Sequence, residues 1–131
     1  MDNPIKTKSF EELLAWQKAH AFALKIYKTT KNFPKEELFG LTSQLKRAAI
    51  SIPANIAEGY KKNGSKDKIR FLNIAQGSLE ECRYFLIFAR DIEFISLTEF
   101  EDLKGSLNSA SYMLNANNNA IRENSKQDKK T

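Results

Sequence analysis

The stretch from Leu41 to Gly59, LTSQLKRAAISIPANIAEG, constrains the fold of this 131-residue chain more than any other. On a helix at about 100° per residue, Leu41, Leu45, Ala48, Ile52 and Ile56 share one arc. Gln44, Arg47, Ser51, Asn55 and Glu58 run beside it as a polar seam, and Ile50, Ala54 and Ala57 fall on the far side. A helix that is apolar on two sides wants its own bundle on one and a second chain on the other. The seam between them reads as a ligand site or as the hydrogen-bonded lining of that contact. Pro53 removes one backbone bond and frees the carbonyl of Ala49. Because the apolar arc keeps phase across it, a kinked but continuous helix is expected, with the Ser51 hydroxyl available to the disturbed backbone.

Three further helices follow from periodicity and end signals. Ser9-Phe-Glu-Glu12 is a capping box that opens a helix carrying Leu13, Trp16, His20, Ala23 and Tyr27 at helical spacing. Phe33-Pro34 closes it, since the residue before proline disfavours helix. The turn Gly59 to Ser65 leads to a third helix with Ser65 as N-cap, whose face is Phe71, Ala75, Ser78, Cys82, Phe85 and Ala89, widened by Leu72, Leu79 and Leu86. Its segment from Tyr84 to Ala89 is apolar nearly all round, and Gly77-Ser78 predicts a close helix crossing. Thr98-Glu-Phe-Glu101 is a second capping box, ahead of Phe100, Leu103, Leu107, Ala110 and Leu114. The asparagine run from Asn115 weakens the end of that helix, and residues 123–131 read as a disordered polar tail. Strand alternation and internal repeats are absent from the sequence. The expected fold is all-α: an antiparallel up-and-down four-helix bundle in one domain, residues 1–122, with helices near 9–33, 41–60, 66–94 and 99–122.

Charge is spread unevenly. Residues 1–40 carry seven basic and five acidic groups, and residues 71–131 carry seven and nine. Residues 41–70 carry seven basic groups (Lys46, Arg47, Lys61, Lys62, Lys66, Lys68 and Arg70) against Glu58 and Asp67 alone. That surface is the candidate for attracting phosphate backbones, with a solvated lysine-rich loop as the plainer reading. A single cysteine and the absence of a signal-like or membrane-length apolar run point to a reducing, cytoplasmic setting.

The sequence holds few residues arranged for chemistry. With one histidine and one cysteine there are too few ligands for a metal cluster. His20 reads as a hydrogen-bonded core residue rather than a base, and Cys82 as an inert buried thiol. Ser43-Gln-Leu-Lys46 and Ser65-Lys-Asp-Lys68 match serine–lysine spacing without its partner motifs. Glu80 and Glu81 are adjacent rather than stacked on one face, and read as solvated or salt-bridged carboxylates. No catalytic residue, cofactor or small-molecule substrate is indicated. Arg47 and Glu58 stand about 16 Å apart along one helix, so each is expected to find its partner elsewhere.

The phrases LLAWQKAHAFALKIYKTTKNFPKEELFGL, TSQLKRAAISIPANIAEG and FLNIAQGSLEE, in this order, resemble the 23S rRNA intervening-sequence protein family. The resemblance covers about Phe10 to Leu114. It implies a non-enzymatic bacterial four-helix bundle that assembles as a ring, usually a pentamer. The family takes its name from reading frames inside insertions of 23S rRNA genes. Similar bundles serve diversity-generating retroelements, where a basic pentamer contacts nucleic acid and reverse transcriptase. The positions carried over are Gln44, Arg47, Ser51, Pro53, Asn55, Glu58, Gly59, Gly77, Ser78 and Glu81. Two functional readings result: a ring binding RNA or DNA through residues 46–70, or an assembly module that binds no nucleic acid.

Overall fold

A computed structural model describes the backbone from Thr7 to Lys130 and the side chains of residues 7–127. The described residues form four helices, α1 (Leu14–Thr30), α2 (Leu41–Lys61), α3 (Ser65–Asp91) and α4 (Leu97–Lys130), with short 3-10 turns at Phe10–Glu12 and Lys35–Glu37. Each helix packs against the next and α4 closes on α1, the square of an up-and-down antiparallel bundle. No strand occurs among the described residues.

The core forms where periodicity puts it on α2 and α4, and on α3 it is centred one residue further round, leaving Phe71, Ser78 and Phe85 half-buried. Leu45, Ala48, Ile52 and Ile56 are buried on α2, and Leu72, Ala75, Leu79, Cys82, Leu86 and Ala89 on α3. Phe100, Leu103, Leu107, Ala110 and Leu114 are buried on α4. The stripe on α1 is a correction. Ala15, Ala19, Phe22, Ala23 and Ile26 face inward, so Trp16 lies at the flank and His20 and Tyr27 face solvent. His20 is therefore no core residue; its ring stacks on Trp16, with centroids 4.7 Å apart and planes 11° from parallel.

Helix ends differ from expectation for identifiable reasons. The Ser9 hydroxyl accepts from Glu11 N at 3.2 Å, and Glu12 accepts from Lys8 N at 2.9 Å. These bonds close only the 3-10 turn; Leu13 is extended, and α1 begins at Leu14. The box that opens α4 is Ser96-Leu-Thr-Glu99, with Glu99 N donating to Ser96 Oγ at 3.0 Å and Ser96 N donating to Glu99 Oε1 at 2.9 Å. The cap of α3 is Gly64, and α3 stops at Asp91 rather than Phe94. There the Phe94 amide donates to Ala89 O at 2.9 Å and the Glu93 amide to Arg90 O at 3.0 Å, with Glu93 left-handed at φ 66°. This is a Schellman ending without the usual glycine. At the other end α4 continues through residues 123–130, where a polar tail is expected; Thr131 lies outside the described residues. The asparagine run does not break it because Asn118 is buried against α3, its amide 3.5 Å from Asn73 Oδ1.

α2 passes through Pro53 as one continuous helix, with the proline ring buried. The close helix approach is at Gly59 rather than Gly77. A Cβ at Gly59 would stand 3.2 Å from Phe71 Cβ, whereas one at Gly77 would meet nothing within 4 Å.

Candidate nucleic-acid interface

The polar seam of α2 resolves into parts with separate jobs. Ser51 Oγ accepts from Ser78 Oγ of α3 at 2.9 Å and from Asn55 Nδ2 at 3.0 Å, and Asn55 Nδ2 also donates to Ser51 O at 2.8 Å. These half-buried groups fix the register of α2 on α3. Ser51 thus serves the interhelical contact beside Pro53. Gln44, Arg47 and Glu58 are exposed. Glu58 lies 4.0 Å from the ammonium of Lys62, the cap residue just past the end of α2, so its cation comes from its own segment of chain rather than from elsewhere. Arg47 makes no ion pair among the described residues. Ile50 remains 51% exposed, Ala54 is exposed and Ala57 half-buried, so this chain does not cover the far side of α2.

The basic residues named from sequence do not form one patch. Lys46 and Arg47 stand about 20 Å from Lys61 along α2, at 1.5 Å per residue. The ammonium of Lys46 lies 4.5 Å above the Tyr27 ring, toward α1. At the far end, Lys68 Nζ donates to Tyr60 O at 2.8 Å and Gly59 O at 3.4 Å, closing the C-terminal carbonyls of α2. Lys62 and Arg70 lie over the ring of Phe71, at 5.0 and 4.9 Å from its centre. Lys61 and Lys66 are exposed and unpaired among the described residues.

Sequence reasoning missed two members of this end. Because α4 extends past the bundle, Arg122 and Lys126 join Lys66, Ile69 and Ser125 in an open groove of about 570 Å³. Arg122 forms no ion pair among the described residues, and Lys126 contacts Glu123 at 3.7 Å. The signal was available in the four-residue spacing of these two cations, but it lay inside a segment read as a helix end and tail.

Among the described residues, no group of three or more His, Cys, Asp and Glu could hold a metal, and no helix is long and apolar enough to cross a membrane. Burial, with the neighbouring Glu81 adding to it, pushes the Cys82 thiol up to about 12. Glu80 is bound to Arg83 at 2.9 Å.

The family model for the 23S rRNA-intervening sequence protein matches residues 11–116, most of the chain. The chain belongs to that family. This intervening-sequence protein is similar to a crystal structure from Bacteroides thetaiotaomicron, described as a protein with unknown function from the S23 ribosomal protein family. The two share 27% identity with a TM-score of 0.72, over 79% of this chain and 97% of the other. No curated protein matches the sequence. Gln44, Arg47, Ser51, Pro53, Asn55 and Glu58 all fall within the matched span, and Arg122 and Lys126 fall beyond it.

Proposed function

We propose that this intervening-sequence protein is a non-enzymatic, ring-forming bundle that binds RNA or DNA through the basic end where α2 meets α3. The observation that carries this reading is the open groove where Lys66, Arg122 and Lys126 meet with no carboxylate in its lining, with Lys61 and Arg70 at the same end of the bundle. Such a surface holds a phosphate backbone by releasing counterions and reads no base edge, so binding is tolerant of sequence. Lys68 belongs to the scaffold, because its ammonium is spent on carbonyls of α2.

Filter binding to a structured RNA across a salt series tests this. With three to five phosphates neutralised, log K falls linearly with log salt, at a slope of roughly −0.7 to −0.9 per phosphate. Replacing Lys61, Lys66, Arg122 and Lys126 with glutamate abolishes binding while helicity is retained. No affinity at low salt, or affinity indifferent to salt, overturns the reading.

A second reading, assembly without nucleic acid, draws on the apolar groups left in solvent. Leu24 is 58% exposed on α1, Ile50 is 51% exposed on α2, and Tyr84 and Phe88 are exposed on α3. An oligomer that fails to bind RNA at any salt concentration favours it.

A further inference from the structure

The outward sides of α2 and α3 carry the same repeat. On α2, Arg47, Ile50, Ala54 and Ala57 recur at spacings of three, four and three. On α3, Ile74, Gly77, Glu81, Tyr84 and Phe88 recur at three, four, three and four. That is the spacing of a coiled-coil seam, and neither helix spends it on its own core. Arg47, Ile50 and Ala54 are exposed and Ala57 is half-buried, while all five positions on α3 are exposed. A Cβ at Gly77 would meet nothing within 4 Å, so this side of α3 is bare of the chain's own atoms.

The two seams are unlike, and each carries what the other lacks. The α2 seam is narrow, with two alanines beyond Ile50. The α3 seam is broad, with Tyr84 and Phe88 on one side of the notch at Gly77. Arg47 stands in the first and Glu81 in the second, and neither forms an ion pair among the described residues. Glu80, beside Glu81, is already held by Arg83 at 2.9 Å. A seam laid on its own kind sets like charges together, whereas α2 laid on α3 pairs them. Joining α2 of each copy to α3 of the next is a heterologous contact, the kind that closes rings.

The heights agree with such a rotation. Within the chain, Ser78 Oγ meets Ser51 Oγ at 2.9 Å. Arg47 lies four residues before Ser51 on α2, and Glu81 lies three after Ser78 on the antiparallel α3. At 1.5 Å per residue the two differ by about 1.5 Å along the bundle axis. By the same count Ile50 and Gly77 differ by about 3 Å, and Ala54 and Ile74 by about 1.5 Å. Rotation about an axis parallel to the bundle keeps every height, so it delivers Arg47 of one copy to the level of Glu81 on the next.

We infer that the outer seam of α2 packs head to tail on the outer seam of α3 of a second copy, with Arg47 paired to Glu81 across the contact. The inference rests on the ring proposed above and not on nucleic-acid binding. Sedimentation equilibrium of the full chain tests it. The wild type has a mass of more than two copies. Arg47→Glu alone and Glu81→Arg alone each raise the dissociation constant about a hundredfold or more, with helicity unchanged, because each sets like charges together. The two changes in one chain restore assembly. An equimolar mixture of the single variants also assembles, since each altered seam finds its complement on the other variant; an ion pair within one chain gives no such rescue. Assembly of both single variants at wild-type strength overturns the inference and leaves the ring to be built from other faces. Rescue missing from the double variant or from the mixture does the same. A wild type of two copies overturns the head-to-tail geometry, and a monomeric wild type overturns the ring and this contact with it.

Discussion

A methyl group added at Gly59 would press on Phe71 Cβ at 3.2 Å and on the carbonyl of Lys68 at 3.4 Å. Both belong to α3 in its packed first turns, where neither can move without disturbing the Lys68 cap. Gly59→Ala therefore costs about 1–3 kcal/mol by overpacking. Gly77→Ala, which meets open space, gains roughly 0.5–1 kcal/mol by removing glycine's entropy from a helix interior. Urea unfolding of the two variants checks both signs. Cys82 offers a pH test. Its folded pKa of about 12 stands above the ordinary thiol value of 9.0, so the folded chain holds the thiol proton more tightly than the unfolded chain. The contribution is fully present below about pH 9 and is lost as pH rises toward 12. The native thiol accordingly resists alkylation at neutral pH and reacts at once in denaturant. Burial of Cys82 was legible from its neighbours Leu79 and Leu86. The exposure of His20 was not, because a one-residue shift of the α1 stripe is small on a helical wheel and decisive for a single ring.

Elements were easier to find than their ends. Long apolar arcs on α2, α3 and α4 survive an error of a residue or two, but a capping pattern is a local competition. Ser96-x-x-Glu99 and Thr98-x-x-Glu101 both fit the capping rule, and it is Ser96 and Glu99 that exchange the two capping bonds. Ser96→Ala should cost about 1 kcal/mol and Thr98→Ala almost nothing, measured by thermal unfolding. The C-terminus of α3 was hidden for a related reason. Schellman endings are recognised by glycine, and here Glu93 takes the left-handed position at φ 66°. Glu93→Gly should stabilise the protein by about 0.5–1 kcal/mol, since the strain of a left-handed side chain exceeds the entropy that glycine adds to the unfolded chain. A destabilised variant would mean that the Glu93 side chain supports this turn.

At the scale of the whole molecule, the feature that betrayed the fold also limits it. The inner arc of α2 is satisfied by this chain's own bundle, and Ile50 and Ala54 on the outer side are not. In the antiparallel bundle, Lys46 lies over Tyr27 and Leu13 shares a cavity with Tyr60. That register brings Leu24 to the level of Ile50 and half-buried Trp16 to the level of Ala57, so apolar groups that the core leaves partly uncovered on α1 and α2 stand at matching heights along the bundle. Sequence periodicity announced that α2 was apolar on two sides, but it could not supply the contribution of α1, which needs the register between helices. In the assembly proposed above, a second copy would cover the outer side of α2, and Ile50 is the sensitive position. It is about half-exposed, so Ile50→Lys removes little from the monomer, about 1 kcal/mol or less. The same change places an ammonium in the middle of every contact of the assembly, where an unpaired buried charge costs several kcal/mol. Light scattering should therefore find the variant monomeric at concentrations where the wild type is assembled, with equal helicity by circular dichroism. Unchanged mass in the variant would move the interface off the α1–α2 face and onto the exposed aromatic groups of α3, Tyr84 and Phe88.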